Sequence, residues 1–158
     1  MIHNFFFVLT RLLFFFLLLL IHNKMNLVRI KMYFPLFFCQ IGLQNFMPDL
    51  EGPKYDVVWI QWVMQNVVDE DVVKFLKKCK LILNERGIIV LKENVTSSDE
   101  DDIDTSDSTI TRSCKSYNRL FKEAKLHCFR TKVQRKFPKE LYSVMMFATK
   151  PYSKESVK

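Results

Sequence analysis

Two apolar runs in this chain of 158 residues stop on side chains that can do chemistry. Tyr55-Asp-Val-Val-Trp-Ile-Gln-Trp-Val63 carries Val57, Val58, Trp59 and Ile60 into an abrupt Gln61-Trp62, and Ile88-Ile-Val-Leu91 ends in Lys92-Glu93-Asn94. Short apolar runs of this kind read as buried strands of a parallel sheet. Ligands of open α/β sheets sit outside the carboxyl ends of such strands, so the first run brings polar and aromatic groups to a crevice. Metal chemistry is not expected. His3, His22 and His127 are isolated, and Cys39, Cys79, Cys114 and Cys128 show neither a CxxC nor a zinc spacing. Cys79 and Cys114 fall on apolar helix faces, where a free thiol behaves as a small hydrophobe. A reducing compartment is the simplest reading of this cysteine usage.

The elements that position these groups form a recognisable series. Ile41–Phe46 reads as a strand end and turn, followed by a Pro/Gly-marked loop from Pro48 to Lys54. Asp69-Glu-Asp71 opens a helix whose apolar positions are Val72, Val73, Leu76 and Cys79, and Asn84-Glu-Arg-Gly87 is expected to close it with a glycine cap. An acidic loop, Ser97–Ser106, leads to Asp107 or Ser108 as the cap of a second helix. Ile110, Cys114, Tyr117, Phe121 and Ala124 give that helix its period. Cys128–Gln134 and Leu141–Thr149 read as an antiparallel strand pair. The series βαβαββ over residues 39–150 is the second half of a doubly wound α/β sheet.

At this length the chain holds at most one ordinary domain. Hydrophobic residues make up 49%, enough for a packed core, yet 15 Phe against 3 Gly is unusual where α/β turns normally use glycine. The net charge of +7 is uneven. Residues 99–107 carry six acids and no base, and from Arg112 onward there are thirteen bases against three acids, including a basic tail at 151–158. Bases scattered over a helix and a hairpin read first as a solvated face, and no nucleic-acid partner is expected.

Residues 1–38 differ from the rest, with four bases, no acid, no glycine and no alanine. Phe5–Ile21 is apolar except for Thr10 and Arg11, and it offers the only route to a membrane. Its unbroken part is shorter than the ~20 residues that span a bilayer. Three readings stand: a weak signal anchor, a buried helix, or translated noncoding DNA. The Phe, Leu, Ile, Asn and Lys bias favours the last.

From Gly42 to about Ala148 the chain resembles the C-terminal part of the S-adenosylmethionine-dependent methyltransferases that modify the α-amine of proteins beginning Xaa-Pro-Lys. The resemblance rests on Gly42-Leu-Gln-Asn-Phe46, Tyr55-Asp-Val-Val-Trp-Ile-Gln-Trp62, Gly87-Ile-Ile-Val90 with Lys92-Glu-Asn94, Asp107-Ser-Thr109 with Arg112-Ser113, and Phe137-Pro-Lys-Glu-Leu-Tyr142. It implies a truncated Rossmann-like class I methyltransferase sheet, its second half, behind a non-homologous apolar N-terminal segment. The strand at 57–61 would then lie beside a first strand that is not evident, leaving an unpaired apolar edge. It also implies S-adenosylmethionine as cofactor, Xaa-Pro-Lys/Arg tails exposed by Met removal as partners, and a cytoplasmic or nuclear location. The alternative is a non-catalytic remnant that binds a partner or a membrane.

The resemblance also assigns roles. Leu43 and Gln44 would flank the adenine, and Gln61 would contact the methionine part of the cofactor. Trp62 would pack on the substrate's second-position proline, with Asn66 nearby, and Tyr142 would line the peptide channel. Asn94 would orient the amine, Asp104 and Asp107 would attract the third-position Lys or Arg, Asp107 would also assist deprotonation of the amine, and Thr109 would be a further substrate-binding residue. Locally, each has a plainer reading. Trp62 suits a core, Asn94 a post-strand turn and Asp107 a helix cap. The chain departs from the family twice. Asn66 stands where a histidine is common, which moves the base role to Asp107. No GxGxG occurs in residues 1–41, the glycines being Gly42, Gly52 and Gly87.

Overall fold

A computed structural model of the chain describes residues 8–10, 43–138 and 140–152. Strand β2 (Tyr55–Gln61) runs parallel to β3 (Leu83–Val95), in register from Val57↔Ile88 to Gln61↔Lys92. Parallel neighbours need a crossover, and α1 (Asp69–Lys80) supplies it. Its first turn holds Asp69, Glu70 and Asp71 and its last Lys77, Lys78 and Lys80, charges that suit the two ends of the helix dipole. The buried face is Val72, Val73, Phe75, Leu76 and Cys79.

That helix closes earlier than the glycine suggested. Its C-cap is Leu81, in a right-handed conformation, and Gly87 lies inside β3 where the register with β2 shifts between Tyr55 and Val57. A Cβ at Gly87 would sit 2.8 Å from the Tyr55 carbonyl oxygen. The glycine therefore permits close approach of two backbones rather than capping a helix.

The second helix is shorter than its period implied. Strands β4 (Asp102–Asp104) and β5 (Thr109–Thr111) form a separate antiparallel hairpin with Ile103 opposite Ile110, and α2 spans only Cys114–Glu123. Its N-cap is Ser113, whose hydroxyl accepts from the Ser116 amide at 3.1 Å. Asp107 is thus a hairpin-turn residue, not a cap. Thr109-Ile-Thr111 is β-branched throughout and prefers extended backbone, which outweighs the four-residue spacing from Ile110 to Cys114. Lys125 ends α2 in the left-handed region at φ 58, where glycine is more usual.

Strands β6 (Leu126–Val133) and β7 (Ser143–Pro151) pair antiparallel, as expected, and β7 pairs antiparallel with β3. The sheet order is β1-β2-β3-β7-β6, where β1 is Val8–Thr10. This corrects the expectation of an unpaired edge, because Val8 and Thr10 lie antiparallel beside Trp59 and Val57. The rest of Phe5–Ile21 lies outside the described residues. Among the described residues no helix is long and apolar enough to cross a membrane.

Alternation decides which side of the sheet is filled. Val58 and Ile60 of β2, Ile89, Leu91 and Val95 of β3, and Phe147 of β7 are buried in one cluster with α1 and α2. Each such side chain contributes about 1.5–3 kcal/mol by leaving water. The Phe147 ring lies 5.2 Å from that of Tyr117 and 5.5 Å from that of Phe121, so α2 is keyed to the sheet by aromatic contacts.

Candidate functional site

The polypeptide leaves β2 through Trp62, which takes a left-handed conformation at φ 51. A bulky side chain there costs roughly 1–2 kcal/mol, and it persists because its surroundings fix it. The Trp62 amide still donates to the Lys92 carbonyl at 3.1 Å, and the Lys92 ammonium lies 4.9 Å from the indole centroid. Burial lowers the Lys92 pKa. A 3-10 turn, Met64–Asn66, follows.

Two buried side chains grip that turn. Glu93 Oε1 accepts from the Val63 and Met64 amides at 2.7 and 2.9 Å. Arg112 donates from Nη1 to the Met64 carbonyl at 2.6 Å and from Nη2 to the Val67 carbonyl at 2.5 Å. Its Nε donates to Asp69 at 2.8 Å, and Arg119 also binds that carboxylate. Burial alone would raise the Asp69 pKa, but the hydrogen bonds from Arg119 and Arg112 outweigh it and hold the carboxyl below its usual range.

On the other side of β3, a pocket of ≈ 330 Å³ is lined by Trp62, Gln65, Asn94, Phe137, Leu141 and Tyr142. Alternation along β3 separates the two uses of neighbouring residues: Glu93 shares the core side with Leu91 and Val95, and Asn94 faces the pocket. Trp62 is 42% exposed, so its ring is open to a ligand. The Tyr142 hydroxyl donates to the Asp102 carboxylate and ties the β6–β7 connection to the β4–β5 hairpin. That bond raises the Tyr142 pKa, since losing the proton would set two anions together.

The hairpin itself is anionic and exposed. Asp104 Oδ1 accepts from the Ser106 amide at 2.8 Å and from its hydroxyl, which lowers its pKa. Asp107 Oδ1 accepts from the Thr109 amide at 3.0 Å and its hydroxyl at 2.7 Å. Asp101 anchors the base of the hairpin, accepting from the Ser113 amide and the Ser116 hydroxyl at 2.7 and 2.8 Å.

Of the residues singled out from sequence, Trp62, Asn94 and Tyr142 meet around one pocket. Asp104, Asp107 and Thr109 share the hairpin that Tyr142 contacts through Asp102. Asn66 ends the gripped turn without being among the lining residues, where Gln65 stands instead. Leu43 is packed in the core, and the exposed Gln44 lies beside α1, its carbonyl accepting from Lys78 at 3.2 Å. Gln61 Oε1 accepts from the Trp59 indole N–H at 3.1 Å, which leaves its Nε2 to donate. Sequence reasoning quoted Glu93 and Arg112 within longer motifs and gave neither a role. Glu93 carried a signal, an acid in step with Ile89, Leu91 and Val95. Arg112 carried none locally, because its partners lie more than forty residues away.

Comparison with known proteins gives this geometry a context. Residues 19–150 match the family described as AdoMet dependent proline di-methyltransferase. Over 119 residues the chain is 41% identical to the Schizosaccharomyces pombe alpha N-terminal protein methyltransferase 1, covering 75% of this chain and 53% of that protein. It is 46% identical over 112 residues to the Xenopus tropicalis N-terminal Xaa-Pro-Lys N-methyltransferase 1, covering 71% and 48%. The chain spans about half the length of the curated relatives it matches. A SAM-dependent methyltransferase of Leishmania major superposes with a TM-score of 0.64 at 34% identity, over 70% of this chain and 43% of that one. A SAM-dependent methyltransferase of Clostridium acetobutylicum, 13% identical with a TM-score of 0.52 over 73% and 64% of the two chains, shares the fold alone.

Proposed function

This chain belongs to the AdoMet dependent proline di-methyltransferase family, and on that premise we propose that it transfers methyl from S-adenosylmethionine to the α-amine of proteins beginning Xaa-Pro-Lys or Xaa-Pro-Arg. Residues 39–150 are the C-terminal part of the methyltransferase domain, and the substrate tail is one exposed by Met removal, met in the cytoplasm or nucleus. The observation that carries the reading is the joining of Trp62, Asn94 and Tyr142 around one pocket, with an acidic hairpin tied to its rim.

Each part has a physical task. An indole face suits a flat proline ring. The Asn94 carboxamide, beside it, can accept from the substrate amine and donate to the next carbonyl, fixing the nitrogen in line. An amine attacks only when unprotonated, and the Asp107 carboxylate supplies the acceptor for its proton. Asp104 then favours a cation at the third position, and Thr109 keeps the Asp107 carboxylate aimed. Asn66 has no basic nitrogen, so it positions rather than deprotonates.

The described residues fit one flank of the cofactor. On this reading the exposed Gln44 and the Nε2 of Gln61, at the carboxyl end of β2, would hold its polar groups, with Leu43, buried in the core, beside the adenine. When bound, S-adenosylmethionine supplies an electrophilic sulfonium methyl.

Calorimetric titration of the full chain with S-adenosylmethionine, then with an Xaa-Pro-Lys peptide, tests the reading. Saturable binding of both is expected. Trp62→Ala should weaken the peptide by about tenfold or more, the loss of one well-placed aromatic contact, with cofactor affinity unchanged. Asp107→Asn should abolish methylation and leave cofactor binding intact. Absence of cofactor binding would replace this reading with the non-catalytic, partner- or membrane-binding one.

A further inference from the structure

Glu93 is 1% exposed and Arg112 is fully buried, yet the two do not form an ion pair with each other. Arg112 takes Asp69 as its carboxylate partner. Glu93 Oε1 accepts from two amides, and Oε2 has no hydrogen-bond partner among the described residues. A half-satisfied carboxylate in a core is expensive. An apolar side chain would fill the same place on β3 without that penalty. What Glu93 holds is the step directly after Trp62, where the chain turns out of β2 in a left-handed conformation.

We propose that Glu93 is a positioning residue for the pocket: by capping the Val63 and Met64 amides it holds Trp62 in the conformation that lines the groove. Arg112 completes the grip from the carbonyl side. The consequence for peptide affinity rests on the groove being the peptide site; the conformation of Trp62 does not.

The electrostatics give this role a signature. Burial pushes the Glu93 carboxyl up to about 7, against the pull of the Met64 and Val63 amides and of Arg112. The charged and titratable groups around it are Arg112 from the segment ahead of α2, Tyr117 from α2, Asp69 from α1 with its partner Arg119, and Asp101 beyond Tyr117. From β7 it meets Met145, which does not titrate. Two effects of opposite sign follow as pH rises. The amide bonds to Glu93 become charge-assisted and the turn tightens. Global stability falls, because a carboxyl raised above its ordinary value near 4.5 contributes stability that is full below that value and lost as pH climbs through about 7.

The chain has 2 Trp, so Trp59→Phe leaves Trp62 as the reporter. Acrylamide quenching of Trp62, the urea midpoint and the Kd of an Xaa-Pro-Lys peptide are followed from about pH 5.5 to about 8.5, the range bracketing the raised carboxyl. In the full chain quenching should fall by about twofold and the peptide should tighten by about threefold through a midpoint near 7, while the urea midpoint drops. In Glu93→Gln, which keeps the shape and an accepting oxygen, quenching and the urea midpoint should be flat, and the peptide Kd should keep only the change set by the peptide's own α-amine, which titrates at about 8. A quenching transition that survives Glu93→Gln, or none in the full chain, overturns the proposal. Should Glu93→Gln not fold, Glu93→Asp carries the test: it must keep a transition at a displaced midpoint, and a flat response overturns the proposal. A Trp62 response without peptide binding upholds the positioning role and sinks the peptide-site reading.

Discussion

Glu93 and Asp104 are both acids that accept from backbone amides, and burial separates what each can do. Glu93, sealed beneath the sheet, is pushed up to about 7 and holds the turn that presents Trp62. Asp104, on the exposed hairpin, is held below its usual range by Ser106. Inside, a carboxylate is a costly fixture whose value is geometric. Outside, water stabilises the charge, so the hairpin stays anionic and available to a cationic partner. Asp101 stands between them, half-buried, and joins the hairpin to the start of α2.

If burial sets the role, the damage done by substitution should fall along the same series. Arg112→Ala should cost the most, about 3–5 kcal/mol in denaturant unfolding, because it leaves the Met64 and Val67 carbonyls without their donor and removes one of the two cations on Asp69. A loss near that of an ordinary surface change would break the contrast. Asp101→Ala should cost about 1–2 kcal/mol, the range for a lost helix-terminus cap, together with faster amide exchange at Ser113 and Ser116. Asp104→Asn should leave the unfolding midpoint unmoved. Its effect belongs on peptide affinity at low salt, and it should fade as the Debye length shrinks from about 10 Å at 0.1 M to about 3 Å at 1 M. A salt-independent effect would show that Asp104 acts through a direct, desolvated contact and would sharpen its assignment.

The central elements were readable because burial writes itself into spacing. Val58 and Ile60, then Ile89 and Leu91, alternate toward the core, and Val72, Val73, Leu76 and Cys79 recur at helical intervals. Periodicity failed where two elements share a spacing. Ile110 fits the stripe of α2 but belongs to β5, since its threonine neighbours favour extended backbone and Ser113 offers a better cap than Asp107. Gly87 reads as a helix stop, yet its reason is the Tyr55 carbonyl on a neighbouring strand. The three-residue strand β1 was invisible because nothing in Val8–Thr10 distinguishes it from the apolar residues around it.

By itself the sequence determined the two parallel strands, the helix that crosses between them, the antiparallel pair that follows, and the words that mark the family. Those are local properties, since each depends on which face of a short segment avoids water. Only the tertiary structure decided that Trp62 turns left-handed, that Asp107 sits on a hairpin, and that Glu93 and Arg112 grip one turn from opposite sides. The physical reason is distance along the chain. Glu93 meets Val63 across 30 residues and Arg112 meets Met64 across 48, and no local pattern records which backbone group a charge will find once the core has closed around it.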